Sequence, residues 1–445
     1  MSDANAPIEV DQLIDARWII PVEPENLVLE RHSLVIADGL IRDILPTDAA
    51  RSRYRGKTQL RLDEHVLIPG LVNLHTHAAM SLLRGYADDV PLMRWLQEKI
   101  WPAEARHVST AFVHDGTLLA CWEMLRGGVT CFNDMYFFPE AAAEAALEAG
   151  MRAALGITVF DFPSAYGSDA ADYLHKGLAT REKYRDAALL SFCLAPHAPY
   201  TVSNATFASV ATLAGELGLP IHIHVHETAD EISGSLQEHG MRPLQRLHGL
   251  GLLGPGLIAV HAVHLTPGEI ELLARHGCHV AHCPTSNMKL GSGIPPIARL
   301  LAAGVGVGLG SDGAASNNRL DLFQEMRQAA LLAKVAEHDP ACLPAHRALA
   351  MATLEGARAL GLDGQVGSLR AGKAADVVAV RMDEWSIQPC FDPASHLVYV
   401  TGREAVSHVW VHGKLRINEG NPVNFDHYSL LTKIKMWQNA LSQCG

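Results

Sequence analysis

Two periodicities divide the chain. Residues 9–66 alternate apolar and polar positions over short runs, the period-two pattern of half-buried strands. Leu13-Ile14-Asp15-Ala16-Arg17-Trp18-Ile19-Ile20 is the first such run. His32-Ser33-Leu34-Val35-Ile36 and Leu40-Ile41-Arg42-Asp43-Ile44 flank Asp38-Gly39, a hairpin turn signal, so this region is expected to be a small all-β layer. From Ile68 a repeat takes over: an amphipathic helical stretch, a glycine suited to the left-handed position that stops a helix, then a short apolar run. Helices over 111–126, 139–149 and 204–217 end at Gly127, Gly150 and Gly218, ahead of strands over 129–133, 153–160 and 220–225. A helix over 170–184 leads to a strand over 188–194, and one over 242–248 leads to Leu257-Ile258-Ala259-Val260-His261. Thr266-Pro267-Gly268-Glu269 is a capping box with proline at the first helical position, and its helix stops at Gly277 before His279-Val280-Ala281-His282. A last helix over 295–303 stops at Gly304 before the strand 305–310.

Counted from Pro69, eight strands alternate with helices. That alternation implies a parallel sheet, and eight units in the usual ~250 residues imply a closed (β/α)8 barrel of the TIM type. An open doubly wound sheet is the alternative, but no Gly-rich phosphate loop follows any strand. Two segments break the rhythm. One is an insertion after the first barrel strand, residues 80–107, carrying Trp95, Trp101 and Glu104. The other is the tail from Ala375, where Asp376-Val377-Val378-Ala379-Val380 and residues 406–414 read as strands again. The strand-rich flanks are expected to combine into a small β-sandwich built from both termini. The expected division is 1–66 and 371–445 for the sandwich and tail, and 67–370 for the barrel.

In such barrels the chemistry sits at the C-terminal ends of the strands. The first ends in His75-Thr76-His77, two imidazoles on one face of a strand and half of a metal site. The fourth ends in Pro196-His197, the fifth carries His224 and then Glu227, the sixth ends in His261, Asn287 lies beyond the seventh, and the eighth ends in Ser311-Asp312. Spacing alone does not choose among His222, His224 and His226. Depth favours His224, with His222 lower in the barrel as a satisfied core histidine and His226 at the mouth. His264 is an alternative to His261 but falls beyond the apolar run, and Asp312 has an alternative role as a cap for the next helix. Three imidazoles and a carboxylate suit a borderline divalent ion and leave a position for water.

Composition narrows the partners. Net charge is −12 with no basic cluster, which argues against a nucleic-acid partner. No apolar run approaches the ~20 residues that cross a bilayer, so no membrane span is expected. Met1-Ser2-Asp3-Ala4-Asn5 has neither the basic nor the apolar region of a signal peptide. Cys121, Cys131, Cys193, Cys278, Cys283, Cys342, Cys390 and Cys444 form no CxxC pair and read as free thiols, giving a cytoplasmic expectation.

Taken together, PGLVNLHTH, His224 followed by Glu227, the His261 strand, HCPTSNMKLGSG, GSDG and AGKAADVVAV resemble the amidohydrolase superfamily, and more narrowly its methylthioadenosine/S-adenosylhomocysteine deaminase and chlorohydrolase branch. The resemblance covers nearly the whole chain. It implies metal ligands His75, His77, His224 and Asp312, catalytic roles for Glu227, His261 and Asp312, and substrate contacts from Glu104, His197, Glu227 and Asp312. It also implies one divalent ion per subunit, with zinc expected although iron and manganese accept the same donors, and a homo-oligomer. The chemistry fits these roles: Asp312 takes a proton from an activated water, Glu227 donates one to a ring nitrogen, and His261 stabilises the developing tetrahedral centre. Histidine rather than a bridging lysine ends the fourth strand, which points to a mononuclear centre. The expected reaction is hydrolytic deamination of a small-molecule adenine nucleoside.

Characterised S-adenosylhomocysteine deaminases hold the amino-acid carboxylate with arginines after the third strand. Here residues 156–167 contain none, and Arg181 is the next. The apolar, aromatic stretch favours 5′-methylthioadenosine, then adenosine, over S-adenosylhomocysteine, unless Arg84 or Lys176 reaches the carboxylate. Trp95 and Trp101 read either as an apolar wall for substrate or as a packed loop core. The rivals are a guanine or cytosine deaminase or triazine hydrolase of the same branch, and a non-catalytic barrel that binds metal for structure.

Overall fold

The chain folds around two eight-stranded sheets in a computed structural model that describes residues 6–443. The Met1-Ser2-Asp3-Ala4-Asn5 stretch and Cys444 lie outside the described residues. The first sheet takes β1 (Ile8–Ile19), β2 (Leu29–Ala37), β3 (Leu40–Pro46) and β4 (Tyr54–Pro69) from the N-terminal flank. The second is the parallel array β5 (Leu71–Thr76), β6 (Val129–Asp134), β7 (Arg152–Val159), β8 (Leu190–Pro196), β9 (Ile221–Val225), β10 (Leu257–His261), β11 (His279–His282) and β12 (Gly306–Leu309), in sequential order. The C-terminal flank returns to the first sheet with β13 (Val377–Arg381), β14 (Val406–Val411), β15 (Lys414–Asn418) and β16 (Asn421–Pro422).

The parallel array rolls into a barrel. At the top of the seam Asp312 N donates to the His75 carbonyl at 3.0 Å, bringing the exits of β12 and β5 together. Lower down, the helix Leu354–Ala359 fills the gap. A Cβ on Gly308 would fall 3.1 Å from the Gly356 Cα and 2.6 Å from Leu74, so both glycines are needed for the approach.

The expected sandwich is one continuous sheet folded over on itself. β4 pairs in parallel with β1 and antiparallel with β13, joining the two flanks. The Gly39 and Gly413 turns then meet: Ala375 N donates to Gly39 O and Gly413 N to Ala375 O, each at 2.9 Å. Both glycines are left-handed, and a Cβ on Gly413 would lie 2.8 Å from the Gly39 Cα. Ile14, Leu34, Ile36, Leu67, Val377 and Trp410 are buried between the layers.

One expectation needs correction. The N-terminal flank is not all-β: Thr47–Arg53 is a helix that tucks Ala50 into the sheet core. The tail beyond the last strand is helical. The helix His427–Ser442 packs Trp437 edge-on against Phe112, while Trp437 Nε1 and Lys433 Nζ donate to Asp115 at 3.0 and 2.9 Å. Among the described residues no helix is long and apolar enough to cross a membrane, and all seven described cysteines are free.

A buried ion pair fastens sheet to barrel. Arg152 on β7 reaches Asp376 at 3.4 Å, with side chains 5% and 2% exposed, and Asp376 also accepts from His412 N at 2.8 Å. Asp376→Ala strands the guanidinium in a buried site. A loss of about 3–5 kcal/mol is expected from the shift of the urea midpoint, with Asp376→Asn losing less because the His412 bond survives.

Candidate metal centre and cavity

At the C-terminal mouth of the barrel the Pro69–His77 motif supplies more than its two histidines. His75 Nε2 and His77 Nε2 lie 3.2 and 3.3 Å from Asp312 Oδ1, with the rings 4.8 Å apart. His224 Nε2 is 3.2 Å from His75 Nε2. The motif's other polar residues hold Asp312 opposite them. Asn73 exchanges hydrogen bonds with Ser311 at 2.7 and 2.9 Å, and the Thr76 hydroxyl donates to Asp312 O at 3.1 Å. Asp312 sits in the left-handed region at φ 60° and takes hydroxyl donors from Ser286 and Ser316 on Oδ2 at 2.6 and 2.8 Å. Its Oδ1 accepts from Gly313 N at 2.7 Å, so it caps no helix and its carboxylate belongs to the cluster.

The outer hydrogen bonds suit the cluster to a cation. His77 Nδ1 donates to Met135 O at 2.6 Å and His224 Nδ1 to His197 O at 2.9 Å, which leaves both Nε2 atoms as bare lone pairs. His75 Nδ1 is 3.0 Å from His222 Nε2, so His222 orients the His75 ring from below. Burial lowers His75 to about 4 and holds His224 well below the ordinary imidazole range, keeping both rings neutral. Nitrogen lone pairs and a carboxylate facing one another at these separations call for a positive charge between them, and a single divalent ion supplies it. Two overlapping donor sets lie within 4.8 Å, His75–His77–Asp312 and His75–His224–His261.

Glu227 and His261 stand beside this cluster. Their side chains are 3.8 Å apart, and Ser292 Oγ is 3.4 Å from Glu227 Oε1. Burial raises the Glu227 pKa above the ordinary carboxylate value. His261 is in the left-handed region at φ 69° and its Nδ1 pairs with Asn287 Oδ1 at 2.8 Å, which aims Nε2 at the cluster. Glu231 clamps the Glu227 segment: its two carboxylate oxygens accept from His226 N and Glu227 N at 2.9 and 2.8 Å. The signal for Glu231 lies in Thr228-Ala229-Asp230-Glu231, a capping-box spacing whose glutamate reaches back past the cap. Ser286, Ser316, Ser292 and Glu231 are the site residues that sequence reasoning missed. Ser286 and Ser292 find their partners 26 and 65 residues away, beyond the reach of local pattern, while Ser316 reaches back four residues to Asp312 from a segment with no helical or strand periodicity.

His226 departs from its expected place at the mouth. A positive φ of 59° breaks the period-two alternation and turns the ring away, where Nδ1 donates to His264 O at 3.1 Å and Nε2 accepts from Leu244 N at 3.0 Å. His264 lies in the loop after β10 and donates to Ser292 O at 2.9 Å.

A cavity of about 1210 Å³, open mouth included, rises from His77, His224, Glu227, His261 and Asp312. The insertion supplies its roof as a one-turn helix, a π-helical turn and a short α-helix (Leu92–Arg94, Trp95–Ile100 and Trp101–His107). Trp95, Leu96, Ile100 and Trp101 all line the cavity, so the apolar-wall reading of both tryptophans holds. Glu104 faces in from the same roof and accepts from the Tyr136 hydroxyl at 2.7 Å, and burial lifts its pKa to about 7. His197 stacks on Phe160 with centroids 4.6 Å apart, its Nδ1 3.0 Å from Thr201 Oγ1. Among the described lining residues there is no lysine or arginine. Arg84 is spent on the Glu123 carboxylate and Asn318 O, and Lys176 on Asp172 and Tyr166 O at 2.7 Å, so neither candidate for a carboxylate clamp reaches the cavity.

Comparison with known proteins assigns this architecture. The model of the amidohydrolase family matches residues 66–416. The chain belongs to the amidohydrolase family. It is 47% identical over 428 residues, 96% of each chain, to a protein of Saccharophagus degradans named 5-methylthioadenosine/S-adenosylhomocysteine deaminase. A crystal structure described as an adenosine deaminase from Xanthomonas campestris with bound zinc is 44% identical, superposes with a TM-score of 0.97, and matches 98% of this chain and 100% of its own. The zinc complex of an atrazine chlorohydrolase from Arthrobacter aurescens reaches a TM-score of 0.89 over 96% of this chain and 100% of its own. At 24% identity it shares the fold alone with this amidohydrolase.

Proposed function

We propose that this amidohydrolase is a metal-dependent deaminase of adenine nucleosides, and that 5′-methylthioadenosine is its preferred substrate. What carries the reading is the placement of Glu227 and His261: both border the cation cluster, and the proposed ligand set His75, His77, His224 and Asp312 requires neither. His75, His77, His224 and Asp312 would hold a divalent ion such as zinc, which would supply hydroxide at neutral pH by lowering the pKa of a bound water to about 7. Asp312 receives the water proton. Glu227 donates a proton to N1 of the purine, which draws electron density from C6 and opens it to attack. His261, held by Asn287, orients the attacking oxygen and stabilises the charge on the tetrahedral carbon. Asp312 then delivers its proton to the amino group, the C6–N bond breaks with release of ammonia, and the proton remaining on the C6 oxygen returns to the Glu227 carboxylate, which leaves the inosine analogue. Glu104 and His197 bind the ribose from the roof and wall.

The 5′ substituent selects among nucleosides. The cavity offers aromatic and aliphatic surface from Trp95, Trp101, Phe160 and Phe162, and no cation to meet an amino-acid carboxylate. Burying an uncompensated zwitterion costs several kcal/mol, on the order of a thousandfold in affinity. In ammonia-release assays on the metal-loaded enzyme, kcat/KM for methylthioadenosine is expected to exceed that for S-adenosylhomocysteine by about tenfold or more, even after solvent screening at the mouth. A ratio at or below one removes the substrate assignment. Ammonia from guanine, cytosine or triazines but not from nucleosides replaces the function.

The free thiols support a reducing, cytoplasmic setting, and exposed Trp385 and Phe391 support a homo-oligomer. A monomeric mass in sedimentation equilibrium counts against the oligomer.

A further inference from the structure

At the cavity the insertion is joined to the barrel by a polar contact at Glu104, apart from the Arg84 and Asp88 contacts at its outer edge. Among the described residues the Glu104 carboxylate has one hydrogen-bond partner, the Tyr136 hydroxyl, which donates to Oε1 at 2.7 Å. Tyr136 lies two residues beyond β6, is 5% exposed, and is itself anchored because its carbonyl accepts from the Thr158 hydroxyl on β7 at 3.0 Å. Burial pushes its own pKa well above the phenol range, so it stays a donor. The contact therefore ties a residue of the insertion to the ends of two adjacent barrel strands. It occupies Oε1 and leaves Oε2 without a protein partner in a cavity whose upper wall is apolar. Glu104 is half-buried and lines the cavity, so this free oxygen is open to donors from a ligand.

We propose that Tyr136 is a positioning residue for vicinal-diol recognition: by holding one oxygen of Glu104 it presents the other to the ribose hydroxyls, and so sets the preference for ribonucleosides over nucleosides that lack both hydroxyls. The proposal rests on the deaminase reading for its substrate. Tyr136 is the ionisable group bonded to Glu104; His107 shares its helix, and His77, His197, His224, Glu227, His261 and Asp312 line the same cavity. Diol donors bind the carboxylate form, so with a pKa of about 7 the affinity is full above that pH and declines below it. The Tyr136 donor opposes the burial effect, so removing it moves the decline to higher pH.

The test compares wild type, Tyr136→Phe, Glu104→Gln and the double variant on methylthioadenosine and its 2′,3′-dideoxy analogue. Tyr136→Phe is expected to raise KM for the ribonucleoside about tenfold with kcat nearly unchanged, to leave the dideoxy analogue nearly unaffected, and to shift the acid-side rise of KM upward in pH. In the Glu104→Gln background the tyrosine substitution is expected to add nothing further. Equal losses on both nucleosides, or an unaltered KM for the ribonucleoside, overturn the proposal. Calorimetric binding of adenosine and 2′,3′-dideoxyadenosine to the same proteins keeps the two readings separate. No ammonia from wild type defeats the deaminase reading, while an undiminished binding preference in Tyr136→Phe defeats the role of Tyr136.

Discussion

Asp312→Asn is expected to abolish ammonia release, by about 10³-fold or more, and to lower bound metal in the same preparation. Every contact of Asp312 is made for a carboxylate. Oδ2 already accepts two hydroxyls, from Ser286 and Ser316, while Oδ1 accepts from Gly313 N and faces His75 and His77. Asparagine puts an NH₂ on one of those two sides. Against the serines it opposes two donors; against the histidines it directs protons at the place where a cation belongs. Either orientation removes the negative charge and the proton acceptor together. Metal analysis by mass spectrometry, paired with the ammonia assay, checks both losses. A variant that retains full metal and full rate removes Asp312 from the mechanism.

The second large effect separates chemistry from metal binding. Glu227→Gln is expected to lower kcat by about 10²–10⁴-fold while leaving metal content and thermal stability near those of wild type. Glutamine keeps the shape, and the Glu231 clamp acts on the backbone N–H groups of His226 and Glu227, so the segment stays in place. What is lost is the proton that the buried, raised-pKa carboxyl offers to the purine ring. An unchanged rate in a folded, metal-loaded Glu227→Gln supports a barrel that binds metal without using this residue.

Much of this site was legible in the chain because barrel topology converts local pattern into position. Each strand ends at the same face, so a histidine or aspartate at the end of an apolar run predicts a place in space. His75, His77, His224, His261 and Asp312 were found that way, and they converge at the mouth. His222 likewise lies below its neighbour and bonds to His75. Pattern no longer gives position where the backbone leaves strand geometry. His226 shares the spacing of His222 and His224, but its left-handed φ sends the ring to Leu244 and His264 instead. Alternation holds only while φ remains extended.

The roof was legible as an insertion and opaque as a structure. Its apolar residues and Glu104 carry no strong periodicity, and its π-helical turn follows from packing against the barrel mouth rather than from propensity. Two of the partners that make Glu104 and Asp312 specific, Tyr136 and Ser286, come from other segments of the chain. The flanking sheet repeats the point: its strands were readable one by one, while the meeting of the Gly39 and Gly413 turns that folds it over depends on contacts across more than three hundred residues.

The central claim is a hydrolytic C6 deamination by a metal-loaded cluster, and product identification tests it most directly. Purified protein, stripped with chelator and reloaded with zinc, is incubated with 5′-methylthioadenosine, and the products are resolved by chromatography alongside an ammonia assay. The account predicts one equivalent of ammonia for each equivalent of 5′-methylthioinosine, no free adenine, and no reaction before reloading. Adenine release, or methylthioadenosine unchanged by the zinc-loaded protein, contradicts it.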